Sequence, residues 1–129
     1  MNPKDAQRLM DGDHGELFSL VEEVRIAIDA RDSHRVRQHL LLLYERERQH
    51  FAVEEEIMAY FEYAHAERHQ QTHEELLTTI EALYRLLVIE DLKEIDMQLA
   101  GYLETTLAHT KHADGPLHAF LGELAADDD

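Results

Sequence analysis

The sequence predicts an all-α fold, an antiparallel up-down-up-down four-helix bundle with a short C-terminal helix. Glycine and proline are absent between Gly15 and Gly101, whereas leucine, glutamate, alanine, arginine and glutamine, which favour helices, are abundant. Apolar residues recur at intervals of three and four in four successive segments, as in helices that bury one face. A single helix of this length would exceed the width of a small domain, so turns must divide it into antiparallel pieces.

The apolar stripes and their flanking residues set the predicted helix boundaries. We predict helices over roughly residues 12–30, 34–61, 66–88 and 92–112, and a short helix over roughly 116–125, in a single domain that covers 1–129. Asp32 can cap the second helix, and Asp91 precedes the stripe of the fourth. The turn near residues 61–66 contains no helix breaker. We expect the fourth helix to stop at the run Asp114, Gly115, Pro116.

The composition argues against several classes of protein. The 129 residues include no cysteine, so a metal would have to be held by His, Asp, Glu and water. Acidic residues outnumber basic ones by 28 to 12, and the formal charge of −16 repels nucleic acids and anionic lipids. Residues 1–13 lack the apolar run of a signal peptide or membrane anchor. We therefore expect a cytoplasmic protein that binds neither nucleic acid nor membrane.

Histidines within the apolar stripes are the strongest sign of a chemical function. Unpartnered imidazoles in a core are destabilising, so these side chains need a ligand or a partner. In antiparallel helices they reach the same end of the bundle, together with two carboxylates. Seven such donors exceed the needs of one six-coordinate metal but suit two metals bridged by carboxylates. The predicted donors are His14, His50, Glu54, His69, His73, His109 and Asp114.

The order and spacing of these residues resemble those of a known family. The run from His50 to Met58 (HFAVEEEIM), then His69-x-x-x-His73, then His109-x-x-x-x-Asp114, is similar to the hemerythrins, particularly the single-domain bacterial ones. His14 lies in a matching segment, DHGELF. The resemblance covers roughly residues 10–120, and every ligand position of the family pattern is filled.

The resemblance implies a non-haem di-iron centre that binds dioxygen reversibly. It implies that His69, His73 and His109 bind one iron and that His14 and His50 bind the other. Glu54, Asp114 and a solvent-derived oxo or hydroxo group would bridge the two ions, which alternate between Fe2+ and Fe3+. The residues expected to line the oxygen pocket are Phe51, Ile57, Met58 and Leu107.

Several residues admit a second interpretation. His112 competes with His109, although the family spacing to Asp114 favours His109. Glu47 could orient a ligand histidine or reach solvent, and Tyr102 could donate a hydrogen bond to the site or only pack in the core. The remaining histidines are expected at the surface: His34, His39, His65, His112 and His118.

Four functions compete. Storage, transport or buffering of dioxygen by a monomer is preferred, without enzyme activity as the main role, and with an unidentified protein as oxygen acceptor. A ferritin-like di-iron oxidase or peroxidase would need more in-register carboxylates than this chain offers. An oxygen or redox sensor would be expected to carry a signalling domain. A metal-free interaction bundle leaves the aligned histidines unexplained.

Overall fold

The chain is helical throughout the part that the structure describes. The structure is a computed structural model, and it describes residues 1–127 except for the side chains of residues 12–14. Its elements are four long helices, α1 (Pro3–Asp29), α2 (Ser33–Tyr60), α3 (Ala66–Leu86) and α4 (Leu92–His109), then a π-helical turn (Thr110–Asp114) and α5 (Gly115–Asp127). The all-α prediction is confirmed. Among the described helices, none combines the length and apolar character needed to cross a membrane.

Helix α1 begins at Pro3, well before the predicted start near residue 12. The Asn2 side chain accepts a hydrogen bond of 2.8 Å from the backbone N–H of Lys4, and proline is well suited to the first helical position. The first turns are anchored by the buried side chains of Ala6 and Met10. The predicted start of α1 was wrong because two isolated apolar residues in a polar segment are a weak periodic signal. In the structure, their packing against α5 is enough to hold these first turns in the helix.

Each turn between the long helices contains one non-glycine residue in the left-handed region, Arg31 (φ 55°), Glu62 (φ 52°) and Glu90 (φ 51°). Such a conformation costs roughly 1 kcal/mol or more. The turns before α2 and α4 are supported by N-caps, because Asp32 and Asp91 each accept a 3.1 Å hydrogen bond from a backbone N–H three residues later. The turn after α2 forms without a glycine or proline, so packing of the helices determines its position.

The run of Asp114, Gly115 and Pro116 does not stop the helix, contrary to the prediction. The backbone N–H of Gly115 donates to the carbonyl of Thr110, five residues earlier, and forms the π-helical turn. Pro116 then lies in the first turn of α5, where its missing N–H is not required. The chain therefore passes from α4 to α5 without leaving a helical path.

The four long helices pack as a bundle. Helix α2 contacts α1 and α3, α4 contacts α3 and α1, and α5 packs against α1. Between α1 and α2, Glu16 pairs with Arg46 and Glu23 with His39, so residue numbers rise along one helix as they fall along the other.

The buried apolar side chains form two separate groups. The large apolar cluster fills most of the bundle and includes Leu43, Phe51, Leu76 and Tyr102. The small apolar cluster consists of Ala6, Met10, Ile57, Met58, Leu117 and Leu121. Along α2, Phe51 belongs to the large cluster and Ile57 to the small one. The residues between Phe51 and Ile57 on α2, and those at the junction of α4 and α5, include buried polar side chains.

Candidate metal centre

A group of buried polar side chains lies between the two apolar clusters. Helix α2 supplies His50 and Glu54, α3 supplies His69 and His73, α4 supplies His109, and the π-helical turn supplies Asp114. All six are buried, and the Glu54 side chain has no exposed surface. Because a buried charge or imidazole is costly without partners, these residues must interact with one another or with a bound ion.

Helical geometry brings the partners on each element together. His50 and Glu54 are four residues apart on α2, and His50 Nε2 lies 3.1 Å from Glu54 Oε2. His69 and His73 have the same spacing on α3, with ring centroids 4.5 Å apart.

His109 and Asp114 are separated by five residues, a spacing that would place them on different faces of an α-helix. The wider π-helical turn between them brings His109 Nε2 to 3.0 Å from Asp114 Oδ1. The π-helical turn is thus the local structure that allows this pair to face the same point.

Glu54 is the central carboxylate, and its two oxygens face different histidines. Oε1 lies 2.9 Å from His73 Nε2 and 3.3 Å from His69 Nε2. Oε2 faces His50 Nε2 instead. The second carboxylate, Asp114, directs Oδ1 to His69 Nε2 and His109 Nε2, both at 3.0 Å. The predicted ligands from three helices and the π-helical turn therefore meet in one place.

The mutual contacts shift the pKa values of the cluster. Burial opposes the charged form of Glu54, but three surrounding histidines outweigh burial and hold its pKa well below the ordinary value. Burial likewise opposes a charge on His69, but Asp114 and Glu54 raise its pKa to about 9. Burial dominates at His73 and lowers its pKa. In the metal-free state, an anionic Glu54 thus faces a protonated His69 at neutral pH.

The cluster fits a metal ion. His69 Nε2 and His109 Nε2 lie near Asp114, yet neither nitrogen makes an aligned hydrogen bond with a residue in the described ranges. Adjacent ligand atoms on a six-coordinate metal with bonds of about 2.1 Å are roughly 3 Å apart. One ligand atom each from Glu54, His69, His73, His109 and Asp114 lies within 4.8 Å of the others. This donor set of imidazoles and carboxylates suits iron, zinc or manganese.

The surroundings of the cluster are apolar on the side of the bundle core. The Phe51 ring stacks on His73 at a centroid distance of 4.0 Å and an interplanar angle of 8°. Ile57 and Met58 follow Glu54 by about one turn and belong to the small apolar cluster. Three of the four predicted pocket residues therefore lie in the buried interior close to the centre.

Leu107 does not line the centre, and its assignment to the oxygen pocket was wrong. Its side chain is 51% exposed. Residues two apart on an α-helix point in nearly opposite directions, so burial of His109 turns Leu107 toward solvent.

Outside the cluster, the structure describes the side chains of five further histidines. His14 was predicted as a ligand, but its side chain lies outside the described residues. His112, the competitor of His109, is exposed, as are His34 and His65, whereas His39 and His118 are partly buried. Of the two candidates near Asp114, it is therefore His109 that lies in the buried cluster.

Glu47 and Tyr102 form a buried pair beside the cluster. Both side chains are 1% exposed, and the Tyr102 hydroxyl donates a hydrogen bond to the Glu47 carboxylate. Burial raises the pKa of Glu47 to about 7, despite the opposing influence of His50 and His109. Of the two interpretations of Glu47, the solvent-facing one is excluded.

A Glu47→Gln variant is expected to change how stability depends on pH. In the metal-free protein, the pKa of Glu47 is near 4.5 when unfolded and about 7 when folded. The folded state therefore binds this proton more tightly, and the free energy of unfolding should fall by about 3 kcal/mol as pH rises through that window. Glu47→Gln should remove this contribution, whereas Glu56→Gln, at an exposed site on the same helix, should keep it. Urea unfolding between pH 4.5 and 8 tests this, and equal pH slopes in wild type and Glu47→Gln would contradict it.

A surface cavity of about 530 Å³ lies between α3 and the α4–α5 junction. Its wall includes His69, Thr72 and His109, and its rim includes Arg68 and His112. Thr72 makes a 3.0 Å contact with His109 Nδ1, which the spacing of the predicted ligands does not indicate. A threonine three residues after a predicted ligand was the one available signal for it.

Comparison with known families agrees with the geometry. The model of a family described as "Hemerythrin HHE cation binding domain" matches residues 5–121. A search of the curated proteins found no significant match. The family match spans every residue of the buried cluster and the segment that contains His14.

Proposed function

Because the chain belongs to the hemerythrin family, we propose that its buried centre holds two iron ions and binds dioxygen reversibly, for storage, transport or buffering. In this proposal His69, His73 and His109 bind one ion, and His50 and His14 bind the other. Glu54 and Asp114 bridge them. The role is that of a carrier and not of an enzyme.

The observation that carries the two-ion proposal is the orientation of Glu54. One carboxylate oxygen faces His69 and His73, while the other faces His50. A carboxylate that served a single ion would not need histidines at both oxygens. His50 also lies outside the group of five ligand atoms within 4.8 Å, which fits a neighbouring ion with its own histidines.

The paired contacts support the antiparallel topology that this arrangement requires. In the α1–α2 pairs, residue numbers rise along one helix as they fall along the other. The same holds between α2 and α3, where Tyr44 contacts Glu81 and Glu54 contacts His73. Between α3 and α4, Thr72 contacts His109, at the start of one helix and the end of the other. An up-down-up-down bundle places all these ends together.

The residues of the chain supply an environment suited to reversible binding. When bound, a pair of ferrous ions can lend two electrons to dioxygen and recover them on its release. Phe51 covers His73 on the core side and excludes water there. The histidines are neutral donors, so the centre accumulates less negative charge than the carboxylate-rich sites of oxidases. Glu54 and Asp114 provide the anionic charge that offsets the two cations.

Cycling oxygen over the iron-loaded protein tests the proposal. The protein is loaded anaerobically with ferrous iron and desalted, and the iron per chain is counted. We expect two irons and a visible charge-transfer band that appears with oxygen and disappears on its removal, over repeated cycles. Prompt irreversible oxidation with release of hydrogen peroxide would contradict a carrier and support an oxidase. One iron per chain would contradict the two-ion centre.

A further inference from the structure

We propose that Thr72 is a positioning residue that fixes the ring of His109 with its Nε2 lone pair directed at the metal centre. The inference rests on the proposed metal centre, but it concerns a side chain that is itself no ligand. Thr72 lies on α3 between the two ligand histidines of that helix, and His109 lies at the end of α4. The contact therefore joins two elements of the site.

The direction of the hydrogen bonds follows from the two contacts of one hydroxyl group. Thr72 Oγ1 lies 2.6 Å from the backbone carbonyl oxygen of His69 and 3.0 Å from His109 Nδ1. A carbonyl oxygen only accepts, and two oxygens this close require a proton between them, so the Thr72 proton points at His69. Thr72 has no second proton. It must accept the hydrogen bond from His109, which therefore carries a proton on Nδ1.

A proton on Nδ1 determines what the other nitrogen can do. In a neutral imidazole the unprotonated nitrogen is the one that can bind a metal. His109 Nε2 lies 3.0 Å from Asp114 Oδ1, on the side of the cluster. Ligand histidines usually have their second nitrogen held by a carboxylate, a carbonyl or water, and loss of such a partner costs about 10- to 100-fold in metal affinity.

The position of Thr72 distinguishes this polar role from simple packing. Thr72 is partly buried in the wall of the cavity beside His109. If the hydroxyl matters, Thr72→Ser should behave like wild type. Thr72→Ala should lose part of the metal affinity, because water from the cavity can reach the vacated space and accept the hydrogen bond from His109. Thr72→Val should lose the most metal affinity, because valine keeps the volume of threonine, blocks water and offers no acceptor. If only packing matters, valine, which keeps the volume, is tolerated best and alanine, which removes the most volume, is tolerated worst.

Metal affinity in these variants is the first measurement. Ferrous iron is titrated anaerobically against a competing chelator, and we expect Thr72→Val to weaken binding of the iron assigned to His69, His73 and His109 about tenfold or more, with Thr72→Ser within about threefold of wild type. The matched control is Thr79→Val, because Thr79 makes the same kind of hydrogen bond to a carbonyl four residues earlier, at 3.0 Å, and has no hydrogen bond to a histidine within the described part of the chain. Equal affinities of Thr72→Val and Thr79→Val would overturn the proposal.

Nitrogen-15 NMR of the metal-free protein is the second measurement, and it does not depend on iron binding. We expect His109 in wild type and Thr72→Ser to show a protonated Nδ1 whose hydrogen exchanges slowly with water. In Thr72→Ala, where water from the cavity can reach Nδ1, this proton should exchange rapidly. Wild-type His109 with an unprotonated Nδ1 would overturn the inference.

The two measurements separate this inference from the proposed function. Failure of the wild type to bind two irons counts against the di-iron centre and leaves the NMR result to decide on Thr72. Normal iron binding in wild type together with unchanged binding in Thr72→Val counts against Thr72 alone.

Discussion

A Glu54→Gln variant is expected to lose tight binding of iron at both positions. Glutamine has the same shape but one acceptor oxygen and no charge, while three histidines surround the Glu54 carboxylate within 3.3 Å. Removal of a partner outside the ligand shell already costs about 10- to 100-fold, so loss of this anionic ligand should weaken iron binding by more than about 100-fold. Iron per chain after desalting should fall from two to less than one.

The same variant should also be less stable without metal. The buried carboxylate partners the protonated His69, and breaking a buried ion pair costs about 3–5 kcal/mol. Urea unfolding of the metal-free proteins measures this loss. Glu56→Gln, two residues away and exposed, should retain both irons and wild-type stability. Two tightly held irons in Glu54→Gln would refute the ligand assignment.

Iron affinity is expected to rise steeply with pH up to about pH 9. In the metal-free protein, Asp114 and Glu54 raise the pKa of His69 to about 9, so this imidazole is protonated at neutral pH and must lose its proton to bind iron. Iron affinity therefore increases with pH, and each pH unit below 9 should reduce the apparent affinity about tenfold per proton released. Above pH 9 this dependence should flatten.

A competition titration at several pH values between 6 and 9.5, under anaerobic conditions, measures this dependence. Proton release on iron addition can be followed in weakly buffered solution with an indicator dye. His34→Gln, which changes an exposed histidine at the start of α2, should give the same slope as wild type. An affinity that does not change between pH 6.5 and 9 would show that His69 is already neutral before iron binds.

Much of the fold could be predicted because each long helix carries its own periodic signal. Leu43 and Leu76 are members of stripes that repeat over several turns, and both are fully or almost fully buried. The early turns of α1 rest on only two buried residues and were missed. Proline and glycine after Asp114 were expected to end the helix, but a π-helical turn accommodates them. Local residue preferences therefore failed where packing of α5 on α1 decided the structure.

The candidate site was predictable where ligands share a helix and less so where the neighbours come from elsewhere. The spacing of His69 and His73 already places both rings on one face. In contrast, the partner of Thr72 on α3 is His109 on α4, and the partner of Glu47 on α2 is Tyr102, also on α4. Such pairs depend on the rotation of one helix against another, which a stripe of apolar residues specifies only approximately. The wrong assignment of Leu107 has the same origin, since its proximity to His109 in sequence conceals its opposite orientation.

The location of the polar layer between two apolar clusters has a consequence for cooperativity. The small cluster joins the ends of α1, α2 and α5, and only a few side chains hold it together. The buried histidines and carboxylates lie between the small cluster and the large one, and without metal they hold charges in a dry interior. The two halves can then open as separate units, with the half formed by α5 and the first turns of α1 opening first. An ion that ties together side chains from three helices and the π-helical turn would merge the two units, so that the whole chain unfolds in one step.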